Sequence, residues 1–332
     1  MRLLVLGGTV FLGHTVAAEA LRRGHEVVCA ARGASGDVPA GATLLKLDRS
    51  DPDGLAPLAG ERFDAVVDVA TISYPWVRDA VRVLGPNAGH WTFVSSINVY
   101  ASFAERGQTE QSPLLEPRQA DGSTPDADPS LYGAVKVASE NEVLAHLGDR
   151  AFIVRSGLIT GPNDRSDRFG YWPGRFARGG RVLLPPTEGQ VTQHVDVRDL
   201  ASWIVDAGEQ RITGVYNATS PHRPLGELLD EIREIVAPPG TETVTATEEQ
   251  LRDNEVRYWG GPRSLPLWLP PTHLGFTSHD VSKAIAAGLT FRPFEDVVRA
   301  ALAVEQELGL DRERKSGLTP AQEREVLAKI EA

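Results

Sequence analysis

Residues 3–13 read Leu-Leu-Val-Leu-Gly-Gly-Thr-Val-Phe-Leu-Gly, and this stretch decides the fold. The short apolar run predicts a strand over 3–6 buried on both faces of a sheet. The glycines predict a tight turn that opens a helix over 11–23, which Gly24 ends. Gly7 permits the turn, and Gly13 permits close packing of helix on strand. The helix N-terminus offers free N–H groups and a partial positive charge to a pyrophosphate. In this context the turn predicts a dinucleotide site built from Gly7, Thr9, Val10, Phe11, Leu12 and Gly13, although glycines at such turns can also serve shape alone.

Working outward, the same alternation continues. Strands are expected over 26–31, 43–47, 65–70, 91–95 and 152–155, with helices over 76–84 and 130–147. This is the βαβ rhythm of a Rossmann-like, doubly wound parallel sheet in an α/β protein. After Arg155 the pattern becomes irregular. Residues 195–205 return to a strand–helix pattern and 225–236 read as a helix. The stretch 257–271, dense in Trp and Pro, reads as an extended lining or packing segment. Thr319, Pro320 and Gln322 supply an N-cap, a proline at the first helical position and a capping-box partner for a last helix. The expected division is a dinucleotide-binding part, 1–162 with 190–218 returning to it, and a smaller α/β substrate part, 163–189 and 219–332. The polar segment 100–129 reads as a long loop over the site or as an inert insertion.

The strand over 26–31 ends Ala30-Ala31-Arg32, where NAD-specific sites place a carboxylate for the ribose 2′-hydroxyl. Arg32 there favours NADP over NAD by gripping a 2′-phosphate; otherwise it is a solvated loop arginine. Asp48 and Arg49 follow the third strand and are candidates to flank the adenine.

Tyr132 and Lys136 stand one helical turn apart, so they share a face. A free tyrosine titrates near ~10 and is a poor acid or base at neutral pH. An ammonium nearby favours the phenolate, so this tyrosine can pass a proton to or from a substrate oxygen as hydride moves. Ser95 and Ser96 end the fifth strand, at the edge where such sheets place ligands. One of the two hydroxyls can orient a substrate oxygen.

The 332 residues carry a net charge of -11, and without a basic stripe such a chain is not expected to bind nucleic acid. The single cysteine, Cys29, lies in an apolar run and reads as a core residue rather than a reactive thiol. The eight histidines show no metal-ligand spacing, so no metal is expected. No apolar run reaches the ~18 residues of a membrane span, and the start reads as a strand rather than a signal peptide. A cytoplasmic protein, monomer or homodimer through the helices at 76–84 and 130–147, is the expectation.

Together GGTVFLG (7–13), DVA (68–70), FVSSINVY (93–100), YGAVK (132–136), RSGLITGP (155–162) and HVDVRDLA (194–201) resemble the extended or atypical short-chain dehydrogenase/reductases, the NAD-dependent epimerase/dehydratase-like group. The resemblance runs through most of the chain. It implies Ser96 rather than Ser95 as the catalytic serine, Lys136 on the nicotinamide ribose, and Val69, Ala70 and Thr71 beside the cofactor. Four positions depart from the family pattern. Val10 replaces the middle glycine. Ile97-Asn98 replace the Asp-Glu of the sugar 4,6-dehydratases, which argues against that reaction. Gln190 stands where nucleotide-sugar enzymes usually carry Arg, and Thr160 where Tyr is common.

The leading expectation is therefore an NADP(H)-dependent carbonyl reductase or alcohol dehydrogenase acting on a small or medium metabolite. Tyr74, Asn98, Trp172 and His194 are candidates for the substrate pocket, with the loop 163–187 as a partial lid. Each of the four also reads as ordinary core or turn. A sugar epimerase with tightly held NAD is the alternative. A third expectation, from relatives that lost their chemistry, is an RNA-binding or NADP-sensing protein.

Overall fold

The computed structural model describes residues 1–70, 72–122 and 128–330, the side chain of Pro129 excepted. The first half follows the alternation strand by strand: β1 (Arg2–Leu6), α1 (Phe11–Arg22), β2 (Glu26–Ala31), β3 (Thr43–Lys46), β4 (Ala65–Asp68), α2 (Tyr74–Leu84), β5 (Trp91–Ser96), α3 (Tyr132–Leu147) and β6 (Ala151–Ser156). Then come β7 (Leu158–Thr160), α4 (Tyr171–Ala177), β8 (Arg181–Leu184), β9 (Val191–Thr192), β10 (His194–Asp196), α5 (Val197–Gln210) and β11 (Gly214–Ala218). The chain closes with β12 (Arg223–Pro224), α6 (Leu225–Val236), β13 (Glu242–Thr245), α7 (Glu248–Asp253), β14 (Arg257–Trp259), β15 (Ser264–Pro266), α8 (Ser282–Ala286), α9 (Phe294–Leu308) and α10 (Pro320–Ile330).

Seven parallel strands form the central sheet in the order β11-β6-β5-β4-β1-β2-β3. The apolar run of β1 is continuous because both faces are covered. Leu3 and Val5 enter the core beneath α1 and α5, while Leu4 and Leu6 enter the opposite core with α2 and α3. The strand order reverses beside β1, with β2 on one side and β4 on the other. A crevice therefore opens at the carboxyl ends of these strands, where such sheets bind ligands.

A third apolar core gathers Phe169, Trp172, Phe176, Leu228, Val298 and Leu327 from the C-terminal elements. The last helix starts where its cap residues predict: the Thr319 N–H donates to Gln322 Oε1 at 3.0 Å, and the Gln322 N–H donates to Thr319 Oγ1 at 3.2 Å. The segment after β5 is an anchored loop. The Ala101 N–H donates to the Pro113 carbonyl, and Gly107 and Gln108 tie the loop to Ser278 and Asp280. No helix among the described residues is long and apolar enough to cross a membrane.

Candidate active site

The glycine turn is closely packed against the sheet. Gly7 has φ +102°, and a Cβ there would lie 2.6 Å from Val69 Cγ2. A Cβ on Gly13 would lie 2.3 Å from the Gly7 carbonyl oxygen, so only glycine lets α1 start this close to β1. Val10, at the departed glycine position, is extended at φ -141° and half exposed. The unusual backbone moves one residue on, to Phe11 at φ +37°. Leu12 is buried in the core and contributes only its place in the first helical turn.

Two adjoining cavities share Thr9, Val10 and Ser35. The smaller, about 210 Å³, is walled by Gly7, Arg32, Asp48, Arg49, Val69, Ala70 and Trp76. Arg32 stands exposed at its wall. Arg49 is not free: its guanidinium is paired with buried Asp68 at 2.7 Å and donates to the Trp76 carbonyl. It serves the cavity as a braced wall. Thr71 lies outside the described residues.

The larger cleft, about 960 Å³, runs from Thr9, Val10 and Phe11 past Ser96, Asn98 and Tyr132 to Arg168, Trp259 and Phe276. A shared cradle at the glycine turn, a Cβ-intolerant approach of backbone to helix and two joined cavities suit an elongated dinucleotide. The residues thus fit a nicotinamide cofactor, with its pyrophosphate at the turn.

Tyr132 opens α3, and Gly133 brings that helix against the turn after β5. A Cβ at Gly133 would lie 2.1 Å from the Asn98 carbonyl oxygen. This contact places Tyr132 on the cleft that Ser96 also lines. The Ser96 hydroxyl also donates to Asn98 Oδ1 at 2.9 Å and accepts from the Asn98 N–H at 3.2 Å. The two serines separate cleanly. Ser96 faces the cleft, whereas the Ser95 hydroxyl turns inward to Glu140 at 2.5 Å.

Lys136 is buried. Its ammonium donates to the Ala70 carbonyl at 2.5 Å and the Val94 carbonyl at 2.7 Å. Burial pushes it down to about 8, with Asp68 and Glu140 opposing that shift. Burial raises Tyr132, and the groups that lower it are Ser96 and Arg168. The Lys136 ammonium, held by the two backbone carbonyls, lies 5.8 Å from the centroid of the Tyr132 ring.

Three of the four pocket candidates do not reach the cleft. Tyr74 packs against Val135 and Ala138 and donates its hydroxyl to Glu142 at 2.7 Å. Trp172 is fully buried, and its indole N–H donates to the Pro266 carbonyl at 2.9 Å. His194 is buried against the rings of Phe169 and Phe294. Each was legible only as an aromatic or polar residue near the site in sequence, and apolar packing claims all three. Of the loop 163–187, only Asn163, Asp164, Arg165, Ser166 and Arg168 border the cleft; α4 and β8 feed the third core.

Sequence reasoning missed Arg168, Trp259 and Phe276, which form the far wall. Trp259 sits at φ +63°, its N–H donates to the Trp268 carbonyl, and its ring meets Phe276 edge-on at 5.3 Å. The density of Trp and Pro over 257–271 was the available signal.

Residues 3–218 match the NAD dependent epimerase/dehydratase family. The chain belongs to that family. Two curated relatives are a 2'-dehydrokanamycin reductase of Streptomyces kanamyceticus and a 3-diazoavenalumate denitrifying reductase of a Streptomyces species. The first is 27% identical over 77% of this chain and 73% of its own. The second is 26% identical over 86% of this chain and 92% of its own. Among solved structures, the Bordetella bronchiseptica enzyme WbmH in complex with NAD+ superposes with a TM-score of 0.66 and 21% identity, over 93% of this chain and 99% of that one. The family fold and the seven-stranded Rossmann-like sheet agree.

Proposed function

We propose that this family member is an NADP(H)-dependent carbonyl reductase or alcohol dehydrogenase acting on a small or medium metabolite. The observation that carries the reading is the convergence of Ser96 and Tyr132 on the cleft that the glycine turn opens, near enough for Ser96 to lower the tyrosine pKa. Reductase activity in both curated relatives supports it. The cofactor, when bound, supplies or accepts the hydride.

The protein's own residues do the rest. The Ser96 hydroxyl holds the substrate oxygen, with Asn98 fixing the serine rotamer. The Tyr132 hydroxyl donates its proton to that oxygen during reduction, or takes it during oxidation. Lys136, released from one carbonyl, holds the nicotinamide ribose hydroxyls. Arg32 accepts a 2′-phosphate, which gives the preference for NADP. Residues 1–162 and 190–218 form the dinucleotide-binding part; residues 163–189 and 219–332 form the substrate part.

A nucleotide-sugar substrate is disfavoured by Gln190. Its side-chain amide is spent on the Leu269 backbone, donating to the carbonyl at 2.9 Å and accepting from the N–H at 3.2 Å, so no cation stands there for a diphosphate. The test is a panel of aldehydes and ketones followed by NADPH absorbance, with the co-purifying dinucleotide identified by mass spectrometry. NADPH oxidation lost in Tyr132→Phe is the expected result. Retained NAD with turnover in the absence of added cofactor would move the reading to an epimerase.

A further inference from the structure

The far wall of the cleft holds a cation that forms no ion pair among the described residues. Among the described residues the Arg168 guanidinium makes no hydrogen bond and no ion pair; it stacks on Trp259 at 5.3 Å from the ring centroid. Its stem lies along Gly260, where a Cβ would come within 3.4 Å of Arg168 Cγ and Cδ. The arginine is half-buried on the cleft wall; burial pushes it down from its ordinary value, and Asp164 and Tyr132 act through space against that shift. A partly desolvated charge without an ion-pair partner carries a cost that a ligand of opposite charge relieves. Asp164 does not reach ion-pair distance, and burial raises its own pKa, which weakens it as that partner.

Resting on the oxidoreductase reading above, we infer that Arg168, stacked on Trp259, is the subsite for a carboxylate on a planar organic-acid substrate, whose reacting oxygen meets Ser96 and Tyr132. A guanidinium matches a carboxylate with two parallel N–H donors, and the stacked indole fixes its plane. The adjoining walls, Phe276, Ile97 and Leu158, are apolar and suit an unsaturated or aromatic body between the two polar ends.

Calorimetric titration with benzoate and its neutral isostere benzamide tests this without any turnover. In protein saturated with NADPH, benzoate binds at least tenfold more tightly than benzamide. Arg168→Gln abolishes most of that difference, Arg168→Lys keeps part of it, and both variants retain NADPH affinity within twofold. Equal binding of the two probes to the wild type overturns the inference. So does a benzoate preference that survives in Arg168→Gln, or a loss of NADPH affinity in that variant, which would assign the arginine to the cofactor. Trp259→Leu gives an independent arm: its benzoate affinity falls severalfold if the stacked wall matters, and an unchanged value counts against the subsite. Failure of the wild type to bind either dinucleotide would instead overturn the oxidoreductase reading. The benzoate comparison would then be read in the free protein.

Discussion

The ammonium of Lys136 lies 5.8 Å from the ring centroid of Tyr132 and is held by the carbonyls of Ala70 and Val94. Ala70 follows β4 and Val94 lies within β5, so the lysine ties the crevice beside β4 to the strand that carries Ser96. In the proposed hydride transfer the proton passes through Tyr132, not the lysine. Tyr132→Phe is expected to lower kcat by about 10²–10⁴ while the dinucleotide dissociation constant stays within about twofold. Steady-state NADPH oxidation and fluorescence titration check the pair of values. A variant that kept more than a tenth of its activity would remove Tyr132 from the proton path.

The same burial gives a pH signature. Lys136 is pushed down to about 8 from an ordinary value of 10.5. Between these values the unfolded chain binds a proton that the fold does not, so this group makes stability rise with pH over that window. Below about 8 the fold bears the cost of the buried charge. Replacing the lysine in Lys136→Met removes the titration. The wild type should gain up to about 3 kcal/mol relative to the variant between pH 8 and 10.5. Urea unfolding of both proteins at several pH values measures it, and a flat difference would show that the amine is not desolvated.

In the proposed reading Arg32 sets the preference for NADP. It follows β2 at the wall of the smaller cavity, and no carboxylate follows the strand end in its place. Arg32→Glu should cut kcat/KM with NADPH by at least about tenfold and leave that with NADH nearly unchanged, a difference of about 1.4 kcal/mol in favour of NAD. Equal efficiencies with both cofactors in the wild type would return Arg32 to a solvated loop residue.

Six of the sheet's seven strands were legible because each carries its own signal; β11 was not among them. β1 is buried on both faces and reads as an unbroken apolar run, and Gly7 and Gly13 mark the turn by backbone necessity. The far wall was not legible. Arg168 lies in an irregular loop, and Trp259 meets it only through packing of distant segments, so neither shows a periodicity. Trp172 and His194 misled for the related reason that an aromatic or imidazole ring in sequence does not reveal whether it faces a cleft or a core. Ser95 and Ser96 are alike in sequence and differ only because the strand turns one hydroxyl toward Glu140.

That inward hydroxyl belongs to a buried polar chain behind the site. Glu140, one turn beyond Lys136, accepts from Ser95 and pairs with Arg155 at 2.7 Å. Arg155 in turn donates to the Tyr100 hydroxyl, which donates to Asn217 on β11. The pair is almost fully buried, so removing one charge strands the other. Glu140→Gln should cost about 3–5 kcal/mol in urea unfolding. The double variant Glu140→Gln, Arg155→Met should recover much of that loss, because two neutral side chains leave no orphan charge. Loss of the carboxylate also removes one of the two groups that support the Lys136 charge, so the stability window assigned to that lysine should begin at lower pH in Glu140→Gln. Additive losses in the double variant, with the Lys136 window unmoved, would show that the chain of contacts is not coupled.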